Sequence, residues 1–178
     1  VQQVRAALPH ADIKAFTPVE VVNFAKTEGM SVRDILRTLQ AAGLSSLPGG
    51  GAEILSDRVR AVICPNKATR AEWLDCMRTA HALGIRTNAS MMYGHIETVE
   101  ERIDHLLALR DLQDETGGFQ AFMLFPFHPE NTALGAERKL AHVGSWEDMK
   151  MLALSRLVLD NVAHFKAFWV MLTQPIAQ

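Results

Sequence analysis

Short apolar runs alternate with capped amphipathic helices along the whole chain, and that alternation restricts the fold more than any other feature. Residues 13–16, 44–47, 85–92, 119–125 and 164–170 read as strands. Between them stand helix starts of defined chemistry. Thr17-Pro18-Val19-Glu20 is a capping box with proline at the first helical position, and Thr69-x-x-Glu72 and Thr98-x-x-Glu101 repeat the box. The pattern predicts helices over 17–29 and over 32–43, the latter with Val32, Ile35, Leu36 and Leu39 on one face. A short helix is expected over 55–63. Another starts at 69 and carries Trp73, Cys76, Met77 and Ala80 inward until Gly84 ends it. The helix from 98 offers Val99, Ile103, Leu106 and Leu107 as its buried stripe. After a polar loop, the helix from Trp146 offers Met149, Ala153 and Leu157. Five strands in strict βα order imply a parallel sheet, either open and doubly wound or part of a barrel. A complete eight-stranded barrel takes about 200 residues or more, so a barrel reading makes the 178 residues a piece of one.

Eighteen basic against twenty acidic residues leave a net charge of −2, which offers no electrostatic footprint for nucleic acid or an anionic membrane. The longest apolar runs, such as residues 121–127, stop far short of the roughly 18 to 20 residues of a membrane span. Cys64 and Cys76 form neither a disulfide framework nor a CxxC pair, and a reducing cytoplasm fits them best. The sequence opens with Val1, Val4 and Leu8 at helical spacing and without an initiator methionine, as though entering in mid-helix.

In α/β folds the working groups gather on loops at the carboxyl ends of the strands. The polar and glycine-rich segments fall there, at 17–20, 48–53, 93–98 and 128–132, and parallel strands point all four toward one mouth. Gly49, Gly50 and Gly51 can expose consecutive N–H groups to an anion, with Glu53 beside them to take a hydroxyl. Glu20 is already explained by its capping box and stands as a secondary candidate. Pro126 and Pro129 stiffen the last loop. Lys14 and Lys166 alternate with apolar neighbours and can face inward or snorkel outward. Met91, Met92, Trp73 and Trp146 read as packing residues, and both cysteines as inert thiols.

The segments SLPGGGAEI (46–54), TNASMMYGHIET (87–98), LQDETGGFQAF (112–122) and FHPENT (127–132) resemble the radical S-adenosylmethionine (SAM) enzymes of futalosine-type menaquinone biosynthesis. Within that family the wording is most similar to the aminofutalosine synthases, next to the cyclic dehypoxanthine futalosine synthases, and more distantly to the deazaflavin-forming FO synthases. The resemblance implies one domain over 1–178, a partial TIM-type (β/α) barrel of about five parallel strands with outer helices, matching the family from about its fourth strand. It implies SAM and a [4Fe-4S] cluster in the full-length enzyme, where three cysteines spaced C-x3-C-x2-C hold the cluster. No such triplet occurs here, so no cluster is expected on this chain and the isolated chain should be inert. The implied reaction adds a 5′-deoxyadenosyl radical to the enol ether of 3-[(1-carboxyvinyl)oxy]benzoate, with rearrangement and loss of carboxylate, to give aminofutalosine. Carried over residue by residue, Gly94 and Glu97 match the G-x-x-E ending of the adenine-supporting motif. Met92 stands where isoleucine is usual, and Thr17 joins them as a SAM contact. Substrate contacts fall on Gly49, Gly50, Gly51, Glu53, Asn88, His95, His128, Glu130, Asn131 and Thr132, with Glu20 secondary. No metal ligand is assigned.

A different enzyme class stays open, in which His95, Glu97, His128 and Glu130 meet as a divalent-metal site of a barrel hydrolase. A non-catalytic half-barrel is a third reading. Partners are expected to be small-molecule substrates. An incomplete barrel leaves strand edges and inward apolar residues uncovered, so a homo-oligomer, or association through the open edges, is expected as well.

Overall fold

The computed structural model describes residues 1–172. Its parallel sheet has four strands in chain order, β1 (Ser46–Leu47), β2 (Arg86–Tyr93), β3 (Phe119–Pro126) and β4 (His164–Lys166). Nine helices accompany it among the described residues: α1 (Gln2–Ala7), α2 (Pro18–Glu28), α3 (Val32–Ala41), α4 (Asp57–Ile63), α5 (Arg70–Ala82), α6 (Val99–Thr116), α7 (Ala133–Arg138), α8 (Ser145–Val158) and α9 (Trp169–Leu172). Parallel strands with helices between them make this the expected partial (β/α) barrel. All three capping boxes form, at Thr17, Thr69 and Thr98, each with its reciprocal glutamate.

The expected first strand is reduced to one bridge, Lys14 to Ser46, because Phe16 turns to a positive φ of 61° and ends the extended run. The expected strand over 164–170 stops at Lys166, and the chain is helical again from Trp169. The expected polar loop contains α7, which Thr132 caps.

Residues paired across the ladder share a face. Asn88, Ala121 and His164 line up, then Ser90, Met123 and Lys166, then Met92 and Phe125. Lys14, Ser46 and Arg86 continue that inner face, which settles the direction of both lysines as inward. The opposite face, with Ala89, Met91, Tyr93, Phe122 and Leu124, packs on the helices. Helix α5 serves two clusters: Trp73 and Met77 join the core over β2 and β3, whereas Cys76 and Ala80 join Ile13, Val21, Leu36 and Leu47.

Two expected helix faces are rotated. In α6, Leu106 is buried as expected, but Val99 and Leu107 are exposed, and the buried side also holds His105, Leu109, Leu112 and Gln113. In α8, Met149 and Leu157 are exposed, as is Trp146, while Asp148, Met151 and Ser155 are buried. Polar partners explain part of the difference. Gln113 accepts from Phe119 N at 2.7 Å and donates to its carbonyl at 3.2 Å, an extra strand partner at the start of β3. His105 Nδ1 accepts from Leu55 N at 3.0 Å, and Tyr93 Oη donates to Asp148 at 2.5 Å. Burial keeps His105 neutral by lowering its pKa to about 3.

Trp73 and Trp146 differ sharply in environment, at 0% and 76% exposure. Trp73→Ala is expected to cost about 3–5 kcal/mol in urea denaturation, and Trp146→Ala less than about 0.5 kcal/mol.

Candidate functional site

The loop after β1 is built by hydrogen bonds to its carbonyls. Six carbonyls in succession accept: Gly49 O from Ser90 Oγ at 2.6 Å, Gly50 O from Trp73 Nε1 at 3.3 Å, Gly51 O and Ala52 O from Arg60, Glu53 O from Met92 N at 2.7 Å, and Ile54 O from Arg60 at 3.4 Å. Among the described residues, none of the N–H groups of residues 49–54 donates in return. The glycine loop therefore keeps N–H donors without a protein acceptor. Gly49 tolerates no other residue, because a Cβ there would lie 2.6 Å from the Asn88 carbonyl oxygen. Arg60 is 3% exposed and also holds the Ala68 carbonyl through Nε at 3.0 Å. It is a residue that sequence reasoning missed, since an arginine inside a short helix carries no pattern that separates it from a surface one. Glu53 has a positive φ of 47°, and its carboxylate pairs with Lys67 at 2.6 Å.

The loop after β2 is organised around Glu97, whose side chain is fully buried. Its carboxylate accepts from Gly94 N at 2.6 Å, His95 N at 2.9 Å and Arg102 Nε at 2.7 Å. Burial alone would raise its pKa, but the hydrogen bond and charge of His95, with the Gly94 and His95 N–H groups, outweigh this and hold it at about 2. Glu97 thus shapes its own loop, with Gly94 at a φ of 88°. Arg102 bridges onward to Glu147 at 2.7 Å and lies over the Tyr93 ring, another contribution invisible to motif reading. His95 Nδ1 lies 2.8 Å from both Ile96 N and the Glu97 carboxylate, and its Nε2 is buried without a hydrogen-bond partner. Asn88 Oδ1 is likewise buried and unpartnered, beside a cavity of about 570 Å³ that Lys14, Arg86, His164 and Lys166 also line.

The other candidates occupy the same sheet edge. Thr17 and Glu20 bond each other, Thr17 N donating to the carboxylate at 2.7 Å and Oγ1 at 2.8 Å, as a capping box requires. Met92 faces inward next to Phe125. After β3, Thr132 Oγ1 accepts from Gly135 N at 3.0 Å, Asn131 takes a positive φ of 59°, and Glu130 is exposed. The quartet His95, Glu97, His128 and Glu130 does not gather. His95 and Glu97 turn to each other inside the entry to α6, while His128 and Glu130 are drawn to His142.

The unpartnered buried Nε2 of His95 after β2 and the free N–H row after β1 suit a ligand such as SAM, rich in hydroxyl, amino and carboxylate groups. A [4Fe-4S] cluster finds no ligand set. The two cysteines are both buried, and burial raises the Cys64 thiol and pushes Cys76 up to about 12, so neither is a ready thiolate.

Comparison with known proteins matches this architecture. Residues 10–109 match the Radical SAM superfamily, and residues 116–178 match the CofH/MqnC C-terminal region. The chain belongs to the radical SAM superfamily. It is 45% identical over 179 residues to the aminodeoxyfutalosine synthase of Thermus thermophilus, covering 100% of this chain and 48% of that protein. It is 44% identical over 183 residues to a 5-amino-6-(D-ribitylamino)uracil--L-tyrosine 4-hydroxyphenyl transferase of Methanosarcina acetivorans, covering 99% and 48%. The enzyme of the same name from Archaeoglobus fulgidus is 42% identical over 179 residues, covering 100% and 52%. The chain spans about half the length of these curated relatives, and by identity the two kinds of enzyme stand almost level.

The buried carboxylate gives a pH signature. The stability Glu97 contributes is complete above its ordinary value of 4.5 and is lost as pH falls toward about 2. Glu97→Gln is expected to cost about 3 kcal/mol at neutral pH. In urea titrations the gap to the parent should close between pH 4.5 and 2; a gap independent of pH would place the cost in packing instead.

Proposed function

We propose that a protein carrying this chain is a radical SAM synthase of menaquinone biosynthesis, which joins a 5′-deoxyadenosyl radical to 3-[(1-carboxyvinyl)oxy]benzoate to give aminofutalosine. The observation that carries this reading is the gathering of the glycine loop, the 94–97 loop and the 128–132 loop at one sheet edge, in a chain whose whole length is similar to an aminodeoxyfutalosine synthase. When bound, SAM supplies the radical, with cluster ligands from outside this chain.

The chain's own residues bind and orient. Glu97 holds the Gly94 and His95 backbone in place for the adenine, with Met92 and Thr17 beside it. The N–H row of residues 49–51, with Glu53, Asn88 and His95, takes hydroxyl and carboxylate groups. His128, Glu130, Asn131 and Thr132 meet the carboxylated aromatic substrate, and Glu20 acts through its cap on Thr17. Met92 and Phe125, paired on the inner face, exclude water and stray hydrogen donors from the reacting atoms. The edges of the sheet, a single bridge at Lys14 and the three residues of β4, favour association with a second sheet, as a homo-oligomer or within a longer barrel. The near-equal identity to the 4-hydroxyphenyl transferases favours one second reading, transfer from L-tyrosine to 5-amino-6-(D-ribitylamino)uracil.

The test is product analysis of the full-length protein, reconstituted anaerobically and given SAM with either substrate set. Aminofutalosine is the expected product; a hydroxyphenyl adduct from tyrosine would establish the second reading, and absence of SAM cleavage with both sets would refute the two together. In that protein Glu97→Gln is expected to raise the KM for SAM about tenfold or more. The 178-residue chain alone is expected to show no iron–sulfur absorbance after reconstitution.

A further inference from the structure

We propose that His128, Glu130 and His142 form a binding site for a divalent cation of the zinc class. One ligand atom from each lies within 4.8 Å of the other two. The site does not rest on the radical SAM reading, because it is defined by its donors and is tested on the metal alone.

The loop is folded to bring the three together across an H-x-E-x11-H spacing. Thr132 caps α7 while donating through Oγ1 to Pro129 O at 2.8 Å, which closes the first turn under Glu130. Lys139 takes a positive φ of 51° and Leu140 N donates to Gly135 O at 3.0 Å, so the chain ends α7 and doubles back. His142 Nε2 then contacts the Glu130 carboxylate directly, and its ring stands edge-on to that of His128, with centroids 5.0 Å apart at 89°.

The donor set has the chemistry of zinc. Two imidazoles and one carboxylate are a common three-ligand set for that ion, leaving a fourth position for water or a substrate carboxylate. The set is too poor in oxygen for calcium or magnesium, and it contains no thiolate. His128 also has an outer-shell partner, since its Nε2 lies 3.1 Å from the Met171 carbonyl. A ring nitrogen that donates to a carbonyl leaves the other with its lone pair, which is how zinc-binding histidines are commonly oriented. Tetrahedral bonds of about 2.0–2.1 Å place ligands about 3.3 Å apart, so closing on an ion needs only small side-chain rotations. Side-chain exposures of 51% for His142 and 54% for Glu130 leave room for them. Cavities of about 340 and 280 Å³ meet at His142 and give an ion access.

The 178-residue chain, dialysed against zinc, is expected to retain one equivalent, and cobalt in its place should give the intense visible bands of a four-coordinate ion. His142→Ala and Glu130→Gln should each weaken binding by more than the roughly 100-fold that loss of an outer-shell partner can cost. His10→Ala, an exposed histidine elsewhere, should change nothing. If circular dichroism shows that His142→Ala does not fold, Glu130→Gln decides alone. No stoichiometric zinc, or an affinity that His142→Ala in a folded chain or Glu130→Gln leaves unaltered, would overturn the site.

Discussion

A buried guanidinium stands where the fold and the candidate site depend on each other. Arg60, on α4, donates to the carbonyls of Gly51, Ala52, Ile54 and Ala68, and so ties the glycine loop after β1 to the turn ahead of α5. Its charge faces backbone dipoles alone, a costly burial unless every donor is satisfied. That cost is offset by what the carbonyls would otherwise lose, since three loop oxygens in a low-dielectric interior would each go unpaired. Once the oxygens are fixed inward, the N–H groups of a glycine-rich segment have few places left to go. A row of N–H groups without acceptors among the described residues follows from the need to satisfy the carbonyls.

Glu97 repeats the logic with opposite charge. Its carboxylate collects two backbone N–H groups and the Arg102 guanidinium, and Arg102 continues to Glu147 on α8 and to the Tyr93 ring. The loop between β2 and α6 is thereby connected to the helix that covers β3. The Met92 N–H bond to Glu53 O joins this loop to the glycine loop, so the two carboxyl-edge segments share one framework. Displacement of either loop would break bonds in both.

Much of this was legible in the sequence, where local chemistry decides structure. The three capping boxes fixed the starts of α2, α5 and α6, and Trp73, Cys76, Met77 and Ala80 form the buried face of α5 as their spacing requires. Apolar periodicity misled on α6 and α8, because their inner faces include His105, Gln113, Asp148 and Ser155, polar residues that a hydrophobic count sends outward. Three of these are buried beside partners distant in sequence: Leu55 for His105, Asn161 for Gln113, Tyr93 for Asp148. Tertiary partners of that kind leave no local pattern. The capping role of Glu20 was readable from Thr17-x-x-Glu20, but the carbonyl clamp of Arg60 and the approach of His142 to Glu130 needed the fold.

The inner face of the sheet carries a gradient that strand alternation alone would not supply. Around a cavity toward the amino ends lie Lys14, Arg86, Asn88, His164 and Lys166, the last level with Ser90 and Met123, and none of the three cations there forms an ion pair among the described residues. Beyond Met123 the same face becomes apolar toward the carboxyl ends, with Met92 and Phe125, the latter edge-on to Phe168. A closed barrel fills its interior with layers of packed side chains. An unpaired cationic layer can enter such an interior only if carboxylates or hydrogen-bond acceptors are brought opposite it, since lysine heads in an apolar packing layer would be desolvated without compensation. The unpartnered Asn88 carbonyl adds a demand for a donor at the same depth. The two ends of this face therefore ask for different complements. An acidic or acceptor-rich layer suits the amino end, and an apolar or aromatic surface suits the carboxyl end, where the loops carrying Gly49, Gly94 and His128 converge.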